Sequence, residues 1–237
     1  MRVDGYLFRL IMFELFTIVV LGCAKETVAP PVFPGVYVVG FVTQKTNSIG
    51  TPCYFTYWKD ASIATQLSTG ALGFKNDQPT SIVVDNGNVY ISGYQSDNGV
   101  TTAKYWKDGH EFFLTHAAQG SVANAIAVSN GDVYVAGSVE KNFHQVAAYW
   151  KNGSVVYLSD SAGQAGANAI HISANGDIYV AGYVTKENPN PPNDSYQVAT
   201  YWKNGVEQSL SDYHYNAQVY SMALLDTTVI AAGYTLT

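Results

Sequence analysis

A chain of 237 residues with 47% hydrophobic, 14% aromatic and 13% charged residues can bury one sizeable core, and it is too apolar for a disordered or solvating segment. Its formal net charge of −6 excludes the basic footprint that nucleic-acid binding needs. Two cysteines are too few for a disulfide-built scaffold.

The chain opens with Arg2 and Arg9, then an apolar run from Leu15 to Leu21, then small Gly22 and Cys23. That order reads as a signal peptide over residues 1–22, too short for a transmembrane helix. Val20-Leu21-Gly22-Cys23 resembles the lipobox of bacterial lipoproteins, although Asp4 and Glu14 depart from a typical signal. The resemblance implies cleavage before Cys23, lipidation of its thiol and a lipid anchor as the protein's contact with the membrane. Residues 23–34 then form a tether kept extended by Pro30, Pro31 and Pro34. With Cys23 lipidated, Cys53 is left as a lone thiol.

Residues 35–237 are built from a repeat, clearest from Ala125 to Leu158: AIAVSNGDVYVAGSVEKNFHQVAAYWKNGSVVYL. Its copies begin at Ser81, Ala125, Ala169 and Ser221, with a period of about 44 residues that lengthens to about 52 in the last step. Each copy divides into four short strands, AIAVS, DVYVAG, QVAAYW and SVVYL. Asn130-Gly131 separates the first pair and Asn152-Gly153 the last pair, and Asn-Gly suits two-residue hairpin turns because both positions need positive φ. The second strand is apolar almost throughout, as in a sheet covered on both faces. Gly137 and its counterparts Gly40, Gly93, Gly182 and Gly233 close that strand, which suggests a bulge or a close backbone approach. The expected fold is all-β and β-propeller-like, with four antiparallel strands per repeat and four to five blades. From Gly35 there are three strands, three sets of four, and two more, a count that closes neither ring. The reading is therefore a C-terminally truncated propeller or an open arc with an exposed edge.

In a four-stranded blade the middle turn and the link to the next blade share one end. The sequence places long, variable loops there: Thr43–Pro52, Gln95–Thr102, Val139–His144 and Thr185–Tyr196, with links Ser68–Thr80, Thr115–Asn124, Ser159–Asn168 and Ser211–Gln218. Variable loops on a rigid scaffold are where binding concentrates. The candidate binding face comprises Phe74, Asp97, Glu140, Phe143, His144, Asp194, Tyr196, Tyr213 and Tyr215.

Other motifs read as structure. The pairs Tyr57-Trp58, Tyr105-Trp106, Tyr149-Trp150 and Tyr201-Trp202 recur just before a tight turn, a placement that suits packing between blades better than sugar stacking. Ser96-Asp97-Asn98-Gly99 fails the spacing of a sialidase Asp-box. The Asn-Gly-Asp turns offer too few oxygens for calcium. His110, His116, His144, His171 and His214 lack metal-ligand spacing, and His171 on an innermost strand reads as a core histidine. Asp77, Asp97, Glu140, Asp160, Glu187, Asp194 and Asp212 are scattered over the loops without singling out a pair for glycoside hydrolysis. No catalytic residue, cofactor or metal is assigned.

Ala125-Ile126, Gly131 to Gly137, Ala147-Ala148-Tyr149-Trp150-Lys151-Asn152-Gly153 and Leu158 resemble the HAF repeats of bacterial secreted proteins, with Tyr where that family has Phe and no preceding His. The resemblance covers about Gly35 to Thr237. It implies a propeller-like fold outside the cytoplasm and transfers no functional residue. The functional expectation is a non-enzymatic lipoprotein of the bacterial cell envelope that binds a glycan or a protein through the variable face. The alternatives are a polysaccharide-acting enzyme and an assembly protein that uses an open edge strand.

Overall fold

A computed structural model describes residues 18–23, 35–43, 53–60, 62–67, 76–116, 120–160, 162–187, 195–212, 214–226 and 228–236. These residues contain no helix. Sheet 1 holds β1 (Ile18–Cys23), β2 (Tyr37–Thr43), β3 (Cys53–Lys59) and β4 (Ser62–Gln66). Sheet 2 holds β5 (Asn76–Asp85), β6 (Asn88–Asp97), β7 (Val100–Lys107) and β8 (His110–Phe113). Sheet 3 holds β9 (Ser121–Ser129), β10 (Asp132–Lys141), β11 (His144–Lys151) and β12 (Ser154–Tyr157). Sheet 4 holds β13 (Ala165–Ile172), β14 (Ile178–Glu187), β15 (Ser195–Lys203) and β16 (Val206–Ser209), and sheet 5 pairs β17 (Ala217–Leu225) with β18 (Thr228–Thr235).

All neighbouring strands are antiparallel except β1, which lies parallel to β2. The sheets follow one another in chain order, and every substantial contact between sheets joins consecutive ones. The described residues form sheets in series, of which sheets 2, 3 and 4 are four-stranded and antiparallel throughout, and no closed barrel or ring.

The residues that make the repeat recognisable each have a physical task. At Asn130 and Gly131 φ is 52° and 82°, the left-handed pair that a type I′ hairpin turn requires. The Asn of the later turn ties two hairpins together. In sheet 3 the Val133 N–H donates to Asn152 Oδ1 at 2.9 Å, and Asn152 Nδ2 donates to Asp132 Oδ1 at 2.8 Å. Sheet 4 repeats this with Ile178 N, Asn204 and Asp177, both bonds at 2.8 Å. The Lys after each Trp stands opposite the Tyr of the second strand and lies over its ring: Lys59 on Tyr37, Lys107 on Tyr90, Lys151 on Tyr134 and Lys203 on Tyr179, at 5.2 to 5.5 Å. Lys151 and Lys203 also pair with Asp132 and Asp177. These contacts hold both carboxyls below the usual carboxylate range, the largest cause being Lys151 for Asp132 and Asn204 for Asp177. The Asn-Gly-Asp segments are therefore knots between turns.

Gly93, Gly137, Gly182 and Gly233 sit opposite a bulge in the first strand of sheets 2 to 5. The register skips Thr80, Asn124, Asn168 and Tyr220 in turn. A Cβ on Gly137 would collide with the Val122 carbonyl oxygen, and the same holds for Gly182, Gly233 and Gly93 against Gly166, Gln218 and Gln78. The bulged residues join the sheets. Thr80 Oγ1 donates to the Ala123 carbonyl, Asn124 Nδ2 to the Ala167 carbonyl and Asn168 Nδ2 to the Val219 carbonyl, at 2.8 to 2.9 Å.

The core lies between sheets. Trp106, Trp150 and Trp202 are buried to 1%, 0% and 0% exposure, and each faces the preceding sheet. Trp106 meets Val39, Phe55 and Leu67, Trp150 meets Tyr90, Ala103 and Leu114, and Trp202 meets Tyr134, Tyr149 and Leu158. Truncating such a tryptophan costs about 3–5 kcal/mol. The expected packing role is observed for Trp106, Trp150 and Trp202, while Trp58 is half-buried. Among the described residues sheet 5 pairs two strands, and its contact with sheet 4 is a smaller cluster of Ala169, Ala181, Ala199, Ala217 and Val219.

Candidate binding face

The second-to-third connections of sheets 2 and 3 differ from expectation. Both are tight hairpins, because β6 and β7 continue to Asp97 and Val100, and β10 and β11 to Lys141 and His144. Asn98-Gly99 turns the first, with φ of 50° and 84°. Asn142-Phe143 turns the second, with φ of 52° and 64°. The links are likewise shorter than read from sequence, since the first strands begin ahead of the bulge, at Asn76, Ser121, Ala165 and Ala217.

Phe143 is the outlier of this end of the molecule. It occupies the position filled by Gly99 in the sister hairpin, keeps a left-handed conformation that bulky side chains avoid, and is 92% exposed. Beside it Val100, Thr101, Gly120, Glu140 and Asn142 line an open groove of about 520 Å³ between sheets 2 and 3. The missing side chain at Gly120 makes room for Glu140, whose carboxylate a Cβ there would strike. Glu140 N–H also donates to the Gly120 carbonyl at 2.6 Å, which fixes the link against β10.

Two further grooves flank this one. A groove of about 490 Å³ is lined by Gln95, Asp97, Asn98, Val100, Thr102, Phe113, Thr115 and His116. It shares Val100 with the central groove. A third, of about 720 Å³, lies between sheets 3 and 4 and includes Tyr157, Ser159, Asp160, Lys186, Glu187 and Glu207. Next to it Gln164 links the two sheets: its side-chain oxygen accepts from Gln145 N–H at 2.8 Å and its carbonyl accepts from Thr185 N–H at 2.7 Å.

A buried charge lies beside the first groove. Lys104 is 1% exposed, at a site where the sister strands carry Thr56, Ala148 and Thr200. Its Nζ lies 2.5 Å from Asp77 Oδ1 and 2.9 Å from Glu111 Oε2, and donates to Gln95 Oε1 at 3.4 Å. The same ammonium lies 4.8 Å from the Trp106 ring and 5.3 Å from that of Phe113. Burial pushes Asp77 above the ordinary carboxylate range, opposed by the hydrogen bond and charge of Lys104. Asp77 and Glu111 share the single positive charge of one lysine, an arrangement that suits charge burial rather than general acid and base work.

Of the residues expected at the binding face, Glu140 and Phe143 share one groove and Asp97 lines its neighbour. His144 begins β11, half-buried, with Nδ1 enclosed and without a hydrogen-bond partner among the described residues. Tyr196 is half-buried in β15, and Tyr215 is 48% exposed ahead of β17; none of these three lines a groove described above. Phe74, Asp194 and Tyr213 lie outside the described residues. Cys23 is the last residue of β1, so cleavage ahead of it would remove the rest of that strand. His171 is half-buried, and burial lowers its pKa, as a core histidine requires. Among the described residues no three His, Cys, Asp or Glu side chains gather as metal ligands.

Sequence reasoning missed Phe113 and Tyr157. Both lie at groove edges, 51% and 42% exposed. The signal was their shared place in the repeat, opposite Lys104 and Ala148. No family model matches this chain, and no curated protein is similar to it.

Proposed function

We propose that this protein is a non-enzymatic carbohydrate-binding lipoprotein of the bacterial cell envelope, anchored through Cys23, with propeller-like blades that present their grooved end to a glycan. The observation that carries the reading is Phe143, a nearly fully exposed ring held in a left-handed turn beside a groove that contains Glu140 and Asn142. Glycine would relieve that backbone, as the Asn98-Gly99 hairpin does. An aromatic platform bordered by a carboxylate and an amide matches a sugar ring, which offers an apolar C–H face and a rim of hydroxyl groups.

The test is Phe143→Gly, assayed by calorimetry and a glycan array on the full chain. The expected outcome is an unchanged or slightly raised melting temperature together with a loss of affinity of about tenfold or more, corresponding to about 1.4 kcal/mol. Undiminished glycan binding by this variant, or no glycan binding by the parent protein, would sink the reading. Capture of a protein by the Phe143 hairpin in place of a sugar would replace it with a protein-docking role.

A further inference from the structure

Phe113 and Tyr157 occupy the same register in consecutive repeats, and each stands at the edge of a groove. Their groove neighbours correspond as well, Thr115 with Ser159 and His116 with Asp160. A lysine lies against each ring, Lys104 at 5.3 Å and Lys141 at 5.0 Å, while about half of each ring stays in solvent. The three grooves follow the order of sheets 2, 3 and 4. Val100 borders the first and second, and Lys141, one residue before Asn142 of the second, reaches the Tyr157 ring of the third. The series ends in sheet 4, where Ser209 takes the equivalent position, opposite Thr200.

From this alignment we infer that the ligand is a linear, uncharged polysaccharide lying across all three grooves, with Phe143 as the central platform and Phe113 and Tyr157 as flanking ones. The inference rests on the carbohydrate reading of Phe143 and adds the length and charge of the ligand. Charge selects against polyanions. The residues that line the three grooves include five carboxylates, Asp97, Glu140, Asp160, Glu187 and Glu207, and one lysine, Lys186, which pairs with Glu207. A polyuronate would meet an excess of carboxylates along this path. A chain that reaches the second and third platforms binds them intramolecularly, so affinity rises with length without any new kind of contact.

The experiment titrates the full chain with cello-, chito- and malto-oligosaccharides of two and six units, and with polygalacturonate as the acidic control. For the series that binds, the hexamer is expected at least tenfold tighter than the dimer. Phe113→Ser and Tyr157→Ser, which copy the serine of sheet 4, are each expected to weaken the hexamer several-fold and leave the dimer unchanged. Phe143→Gly is expected to weaken both. Equal affinity for dimer and hexamer, still dependent on Phe143, would overturn the three-groove path and leave the carbohydrate reading standing. Tighter binding of polygalacturonate than of any neutral hexamer would overturn the charge selection. No binding by any of the oligosaccharides would remove the carbohydrate reading and the path with it.

Discussion

A lysine is accommodated in this core because three acceptors meet it at once, and the neighbouring repeats show what the site would otherwise hold. In sheet 3 the residues equivalent to Lys104, Asp77 and Gln95 are Ala148, Ser121 and Val139, all buried. Lys104→Ala would strand Asp77, which is 15% exposed, and should destabilise the protein by about 3–5 kcal/mol. Glu111, half in solvent, contributes little to that figure. The triple variant Lys104→Ala, Asp77→Ser, Gln95→Val installs the sheet 3 set and should recover most of the loss. Urea midpoints at constant slope measure both. A single variant as stable as the parent would mean that the ion pair contributes nothing. The same comparison shows what was legible at this scale. Looking for sameness between copies picks out the Trp, Gly and Asn-Gly positions, all of which proved structural. The charge cluster and the flanking rings lie where the copies differ, at Lys104 against Ala148 and Thr200, and at Phe113 and Tyr157 against Ser209.

The bulge governs each hairpin as an element. It lets the first strand run on past the point where alternation breaks, and so β9 starts at Ser121 rather than at Ala125. A bulge of one residue flips the pattern that marks a strand, and the residues ahead of it read as a link. The tip of the β10–β11 hairpin was hidden for a different reason. Phe143 stands where a turn signature needs Gly, so residues 139–144 read as an irregular loop. The two kinds of glycine in sheet 3 separate these effects. At Gly131, with φ of 82° and open space around a Cβ, alanine is strained only in its backbone, and Gly131→Ala should cost about 1–2 kcal/mol. At Gly137 a Cβ would enter the Val122 carbonyl, so Gly137→Ala must break the ladder across the bulge. Its expected cost is larger, about 3 kcal/mol, and it should weaken the Asn124 bond to the Ala167 carbonyl as well. Chemical denaturation of the two variants side by side gives the ranking; equal losses would mean that the bulge tolerates a side chain.

At the scale of the whole molecule, stability is set by neighbours. Each sheet buries its core against the one before and the one after, and the substantial contacts join consecutive sheets. A chain of this kind behaves as a one-dimensional array in which an interior unit has two interfaces and a terminal unit one. Sheets 2, 3 and 4 each place a buried tryptophan on the preceding sheet, and the described residues of sheet 5 include none. Its outward residues Tyr220, Leu225 and Ile230 are 59%, 63% and 53% exposed. Amide hydrogen exchange under native conditions should therefore show a gradient. Protection should be highest in β10, β11 and β14, lower in β2 and β3, and lowest in β17 and β18, where opening needs only the loss of one small alanine-rich contact. Adding a saturating hexasaccharide should raise protection across sheets 2 to 4 and leave β17 and β18 unchanged, because the grooves lie on the former. Uniform protection from β2 to β18 would contradict the array. It would mean that the two terminal sheets meet in solution, that the blades close into a ring, and that every sheet, the last included, has a neighbour on both faces.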